Sequence, residues 1–401
     1  MKWSQLFRVV TRCLPLVAII FSGAACGSLT RIDAVPVADE ERAIVPGLPN
    51  IRYWADGDPA AFMTAAGHSL EREQAYLAST GHQGPLPPAY FLAISGGGEN
   101  GAYGAGLLVG WTKAGTRPVF KGVTGVSTGA LTAPFAFLGS AYDDKLKEVY
   151  TTLTAKDVLQ PRGYLAALFD DAMADNSPLR KTVAKYFDQA MLDAIAAEHK
   201  KGRILVIGTT NLDARRPVIW DIGAIAASGH PRALELVHDV LVASAAIPGA
   251  FPPVMIDVEM DGKPYEEMHV DGGASAQVFL YPPQLDIAKS GIKRDRVLYV
   301  IRNARLDPEW AQVERQVMSI AGRAISSLIQ TQGVGDLYQI YLTTQRDGFD
   351  YNLAYIPKTF TRTLKEPFET AYMLELFDLG HDLAAAGYKW DKAPPGFTPA
   401  D

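Results

Sequence analysis

Apolar residues in this chain fall into two rhythms. One is the short unbroken run. Tyr90-Phe91-Leu92-Ala93-Ile94 sits between a Pro/Gly-rich stretch and a glycine cluster, and reads as a strand buried on both faces. Val119–Val126, Ile204–Thr210, Met268–Val270 and Val297–Ile301 read as strands on the same ground, the last a candidate for the far side of the sheet. The other rhythm is helical. Ala102–Ala114, Thr128–Leu138 and Val237–Ala246 follow it, and residues 309–346 read as mostly helix. Strands that alternate with helices imply an α/β fold in three layers: a mainly parallel central sheet with helices on both faces.

The ends of the chain have a different texture. Lys2, Arg8 and Arg12 precede an apolar run, Leu14–Phe21, interrupted only by Pro15 and followed by Ser22-Gly23-Ala24-Ala25. A basic start, a run too short for a comfortable membrane span and a row of small residues make residues 1–25 a cleavable export signal. Pro36, Pro46, Pro49 and Pro59 then punctuate residues 26–88, read as a linker and N-terminal extension with one helix, Ala60–Ala78. Residues 89–390 form the main domain, and the Pro-rich residues 391–401 are expected to be a loose tail. The two cysteines, Cys13 and Cys26, rule out a disulfide framework once the signal is removed. Gly23-Ala24-Ala25-Cys26 resembles a bacterial lipobox, with Gly23 where an aliphatic residue is preferred. The expectation is an exported lipoprotein anchored through Cys26 on the periplasmic side of the outer membrane; ordinary cleavage would instead leave a periplasmic or secreted protein.

Composition narrows the partners. Of the 401 residues 48% are hydrophobic and 20% charged, enough for a large core. The formal charge is −6 and no basic run interrupts it, which argues against nucleic acid as a partner. Loss of Lys2, Arg8 and Arg12 with the signal takes the charge from −6 to −9. So acidic a chain will not reach an anionic membrane by electrostatics; a lipid anchor or an apolar patch would have to bring it there.

Three glycine-flanked constellations carry candidate chemistry. Gly125-Val126-Ser127-Thr128-Gly129 places a serine between a strand and a small-residue helix, the arrangement of a nucleophile elbow. Ser95-Gly96-Gly97-Gly98-Glu99-Asn100-Gly101 follows the first buried strand. Its glycines leave backbone N–H groups uncovered at the start of a helix, an anion site. Gly96, Gly97 and Gly98 could form an oxyanion hole; a phosphate cradle is the competing reading, since Gly101, Gly104 and Gly106 continue the series. The loop has no P-loop lysine and not the dinucleotide spacing. Val270-Asp271-Gly272-Gly273 ends a strand with an aspartate that either serves a cleft or merely makes a turn.

At these residues the chain resembles the patatin-like phospholipase family, which pairs a G-G-G-x-[R/K]-G loop, a G-x-S-x-G nucleophile and a D-G-[G/A] aspartate in this order. Here they stand as Gly96–Gly101, Gly125–Gly129 and Asp271–Gly273, with Asn100 in place of the basic residue. Ala243–Pro253 and the stretch Tyr372–Gly380 resemble further family segments. The resemblance implies a patatin-like fold over about residues 89–390 and a Ser127–Asp271 dyad that acts without histidine. The sequence has no EF-hand spacing and no zinc cluster, so catalysis is expected to need no metal or cofactor. It implies phospholipid or lysophospholipid as substrate and a membrane surface as partner. Phe251 and Phe279-Leu280-Tyr281 are candidates to line an acyl groove or to sit in the core. Three rivals stay open. One is a carboxylesterase with a Ser–Asp–His triad, for which His381 is the one histidine beyond Asp271. The others are an inactive envelope binding lipoprotein and a nucleotide-binding protein.

Overall fold

The computed structural model describes residues 31–163 and 170–398; the signal segment and Cys26 lie outside the described residues. Nine strands form one sheet: β1 (Arg52–Trp54), β2 (Ala89–Ile94), β3 (Gly122–Val126), β4 (Ile204–Asn211), β5 (Arg216–Asp221), β6 (Val254–Met260), β7 (Lys263–Asp271), β8 (Arg296–Arg302) and β9 (Phe349–Tyr355). Their order is β1-β5-β4-β3-β2-β8-β9; β7 pairs with the end of β4, and β6 with β7. The five strands from β4 to β9 run parallel, and the pairings of β1, β5, β6 and β7 are antiparallel.

Helices α1 (Ala60–Ser79), α2 (Gly101–Lys113), α3 (Thr128–Leu138), α4 (Asp143–Thr152), α5 (Ser177–Tyr186), α6 (Ala233–Ser244), α7 (Val317–Asp347) and α8 (Thr370–Ala385) cover the sheet. Strand alternation divides the core. Leu92, Ile94, Val123, Leu205 and Ile207 face a large cluster fed by α2 to α6 and α8. Ala93, Leu298 and Val300 face Leu337, Ile340 and Tyr341 of α7, and Val206 meets Phe62 and Ala65 of α1. Both faces are thus buried, which explains why the parallel strands read as unbroken apolar runs.

Several elements differ from the sequence reading. β3 begins at Gly122 rather than Val119, and Met268–Val270 is the end of a longer strand, β7. Val297–Ile301 lies inside the sheet, between β2 and β9, because β9 takes the edge. α7 starts at Val317, not at residue 309. The N-terminal extension supplies the edge strand β1 and the covering helix α1, and Ile44 bridges to Glu259. The described part of the tail is docked rather than loose: Asp391 bridges Leu353, and Phe397 packs its ring on Tyr338 and Tyr341.

Candidate active site

Parallel strands deliver their C-terminal ends to one edge. In register across it, Ile301 neighbours Ile94, Ile94 neighbours Gly125, and Gly125 neighbours Ile207. The loops after β2, β3 and β8 therefore meet there, and β7 brings Asp271 opposite Thr209 of β4.

Ser127 links β3 directly to α3 and has φ 56° and ψ −126°. That conformation costs about 1–3 kcal/mol in a residue with a side chain, so its surroundings must hold it. They do. The Ser127 N–H donates to Ser244 Oγ at 3.0 Å, and Ser244 Oγ donates to the Gly208 carbonyl at 2.7 Å. Tyr150 of α4 braces the start of α3 through the Thr128 hydroxyl and carbonyl, at 2.6 and 3.0 Å. The flanking glycines are required by space: a Cβ on Gly129 would collide with the Ile94 carbonyl, and one on Gly125 with the Gly129 carbonyl.

Asp271 lies buried beside Ser127, and its carboxyl accepts the Gly273 N–H at 2.7 Å. Burial drives its pKa up to about 6, while the Ser127 hydroxyl beside it and the Gly273 N–H pull the other way. Gly272 packs against the Gly208 carbonyl, where no side chain would fit.

The glycine loop sits against the serine. A Cβ on Gly96 would lie 3.1 Å from Ser127 Cβ. Of the three expected oxyanion donors Gly96 drops out, because its N–H donates to the Gln277 carbonyl at 3.0 Å. Gly97 and Gly98 remain, at the start of the 3-10 turn Gly98–Asn100 that leads into α2, where N–H groups have no partner within the turn. Gly97 presses on the Asn303 backbone, and a Cβ there would collide with its carbonyl. The later glycines of the series are packing positions: Gly104 lies on Asn303, Gly106 on the Phe377 carbonyl, and Gly101 on Thr128. Asn100 accepts a hydrogen bond from the Tyr372 hydroxyl at 2.8 Å, which ties the loop to α8.

Residues that no motif announced complete the site. Asn303, at the end of β8, donates to the Ser95 carbonyl at 3.0 Å and accepts the Gly104 N–H at 3.1 Å. Its own N–H donates to Ser95 Oγ at 2.8 Å. Gln277 donates to the Gly273 carbonyl at 2.9 Å and so joins the aspartate turn to the glycine loop. Beneath it, Asp336 of α7 accepts the Gln277 N–H at 2.6 Å. Burial raises Asp336 to about 6 as well. Ser244 lies in the Ala/Ser-rich stretch 243–253, the only sequence signal that pointed toward any of these residues.

An apolar cleft opens from Ser127 and Gly98, lined by Leu131, Val149, Val183, Leu241, Phe251 and Met373 among others. Glu99 also lines it, its carboxyl raised by burial. Phe251 thus lines the cleft. Phe279, Leu280 and Tyr281 do not: they line separate cavities with Ala276 and Gln339, and with Phe349 and Arg296.

His269 and His381 are both engaged elsewhere. His269 is buried between Thr209 Oγ1 and Glu267, each at 3.0 Å, and burial lowers its pKa. His381 lies on α8 with Nδ1 2.8 Å from Asp382, and its backbone carbonyl packs on Gly110. Among the described residues no three His, Cys, Asp or Glu side chains converge as a metal site.

With this geometry in view, comparison with known proteins gives three findings. Residues 92–282 match the family model described as Patatin-like phospholipase. No curated protein gives a significant match. Among solved structures, VipD from Legionella pneumophila aligns at 13% identity and a TM-score of 0.34, over 75% of this chain and 67% of that one. ExoU from the type III secretion system of Pseudomonas aeruginosa, in complex with SpcU, aligns at 13% and 0.31, over 75% and 52%. The human GIVD cytosolic phospholipase A2 aligns at 9% and 0.33, over 80% and 56%. The aligned part thus spans between about half and two thirds of the length of those structures.

Proposed function

We propose, for a chain whose residues 92–282 match the patatin-like phospholipase family model, that it hydrolyses the carboxylic ester of a phospholipid or lysophospholipid with Ser127 as nucleophile and Asp271 as base. One arrangement carries this reading: the buried Asp271 carboxyl stands beside the buried Ser127, and burial raises its pKa to about 6. An aspartate at the ordinary ~3.9 would be too weak a base to activate a serine. Raised to about 6, it is still ionised at neutral pH and accepts a proton more readily.

Asp271 takes the Ser127 Oγ proton as Oγ bonds to the ester carbonyl carbon. The carbonyl oxygen becomes an oxyanion facing the Gly97 and Gly98 N–H groups at the helix start. Collapse breaks the bond to the leaving alkoxide, which receives the proton from Asp271 and departs as the alcohol. Water then gives its proton to Asp271 and its oxygen to the acyl carbon. The fatty acid leaves, and Ser127 recovers its proton. The apolar lining around Leu131, Val183 and Leu241 suits a fatty acyl chain better than a short acid.

Address belongs to the same proposal. Export and lipidation at Cys26 would hold the enzyme at a membrane, and Cys26→Ala should shift it out of the membrane fraction. The activity is tested by labelling with an alkyl fluorophosphonate and peptide mapping, together with product analysis on phosphatidylcholine. Label at Ser127 and release of free fatty acid are expected. Absence of both would leave a binding protein.

A further inference from the structure

The half of α7 nearest its N-terminus is built inside out. Between Val317 and Gln332, the half-buried residues among the described side chains are Ser319, Arg323, Gln330 and Gln332, all polar. Two of them face the body: Gln330 donates to the Arg305 carbonyl at 2.9 Å, and Arg323 donates to the Glu309 carbonyl. The opposite side carries Val317, Ile320, Ala324, Ile325, Leu328 and Ile329, all exposed, with Val317 at 82% and Leu328 at 70%. At 100° per residue these six fall within one half of the helix surface. Trp310, 88% exposed, precedes them. In an ordinary surface helix the apolar stripe faces the core; here it faces out.

Position gives the stripe a meaning. α7 is 31 residues long, but only its later part lies along the sheet: Gly333 abuts Arg302 at the C-terminal end of β8, and Leu337, Ile340 and Tyr341 pack on the strands below. Residues 317–332 therefore project past the edge of the sheet by about 24 Å at 1.5 Å per residue. That is the edge that carries Ser127, Asp271 and the glycine loop, and α7 is fixed to it through Asp336 and Gln277.

We propose that the projecting face of α7 docks the enzyme on a lipid surface beside the mouth of its cleft, a step that rests on the lipid-ester reading above. A second copy of the chain is the poorer occupant. A helix face about 24 Å long and 10 Å wide offers roughly 240 Å², against the ~800 Å² per partner of a stable interface. None of the six residues of the stripe is charged, and the chain as a whole is acidic at −6, so the favoured surface is zwitterionic rather than anionic. No described helix is long and apolar enough to cross a membrane, and an interfacial helix preceded in the chain by an exposed tryptophan matches that limit.

The test compares the full chain with its Ile325→Asp/Leu328→Asp double variant, both carrying Cys26→Ser so that no acyl anchor contributes. Flotation with phosphatidylcholine vesicles should fall at least about tenfold in the variant. Vesicle hydrolysis should fall with it, while hydrolysis of a monomeric short-chain ester stays within about twofold. Equal flotation of the two proteins overturns the docking proposal, even if both are active. So does a dimer in lipid-free buffer, seen by sedimentation, that the variant dissolves. If the parent protein floats but cleaves no ester, docking stands and the hydrolase reading fails.

Discussion

Asp271 ties the chemistry to the pH scale. Its pKa near 6 makes it a proton acceptor only above that value, so kcat/KM should climb through about pH 6 along a single ionisation and then level off. Asp271→Asn should abolish both the rate and the ionisation. The same shift has a sign for stability. Because the folded state holds this proton more tightly than the unfolded chain does, stability falls as pH rises from about 4 to about 6. Asp271→Asn should then raise the melting temperature at pH 8 and not at pH 4, by the equivalent of roughly 1–3 kcal/mol. A stability gain that grows toward acid would contradict it. Asn303→Ala removes the bonds to Ser95 and Gly104; it should lower kcat by about 10- to 100-fold with a smaller change in KM, at a cost of about 1–3 kcal/mol in chemical denaturation. The glycine-flanked serine and aspartate could be read from sequence because backbone crowding restricts the neighbours of both to glycine. Gln277 and Asn303 could not, and Ser244 was marked only by the Ala/Ser-rich stretch around it. All three are polar residues whose partners Gly96, Ser95 and Ser127 lie more than a hundred positions away in the chain.

Helix α2 carries the glycine loop at its start, and α8 fixes where α2 lies. Gly106 and Gly110 of α2 touch the Phe377 and His381 carbonyls, and Gly380 of α8 touches the Tyr103 carbonyl, so the two backbones meet without intervening side chains. Tyr372 of α8 then holds Asn100, at the position where the resemblance called for a basic residue. Gly110→Val should wedge the pair apart. We expect a loss of about 1–3 kcal/mol or more in denaturant titration and a lower kcat per folded molecule. An unchanged kcat in the folded fraction would separate the loop from the helix contact. Elements legible in sequence were those with one strong signal: β2, β4 and α3 each contain an unbroken apolar or small-residue run. β9 escaped notice because Phe349-Asp350-Tyr351-Asn352 mixes polar residues into a strand at the edge of the sheet. β1 was hidden among prolines and pairs only with β5.

At the scale of the whole molecule, the family match covers residues 92–282, yet the sheet extends beyond it on both sides, to β1 and to β8 and β9. Asn303, Asp336 and Tyr372 all come from the later part and reach back to the site. A three-layer α/β fold followed from alternating strands and helices alone; that the ends of the chain close it did not, since edge strands and docked tails have weak local patterns. A dyad that relies on a raised aspartate and backbone donors needs no bound cation, so turnover should survive a chelator such as EDTA within about twofold; its loss would point to a metal-dependent step. The most direct measurement is kcat/KM for phosphatidylcholine hydrolysis in wild type, Ser127→Ala, Asp271→Ala and His381→Ala side by side. Both dyad variants should fall by at least about 10⁴-fold while His381→Ala stays near wild type. Full activity in Asp271→Ala, or its loss in His381→Ala with the fold intact, would contradict the dyad.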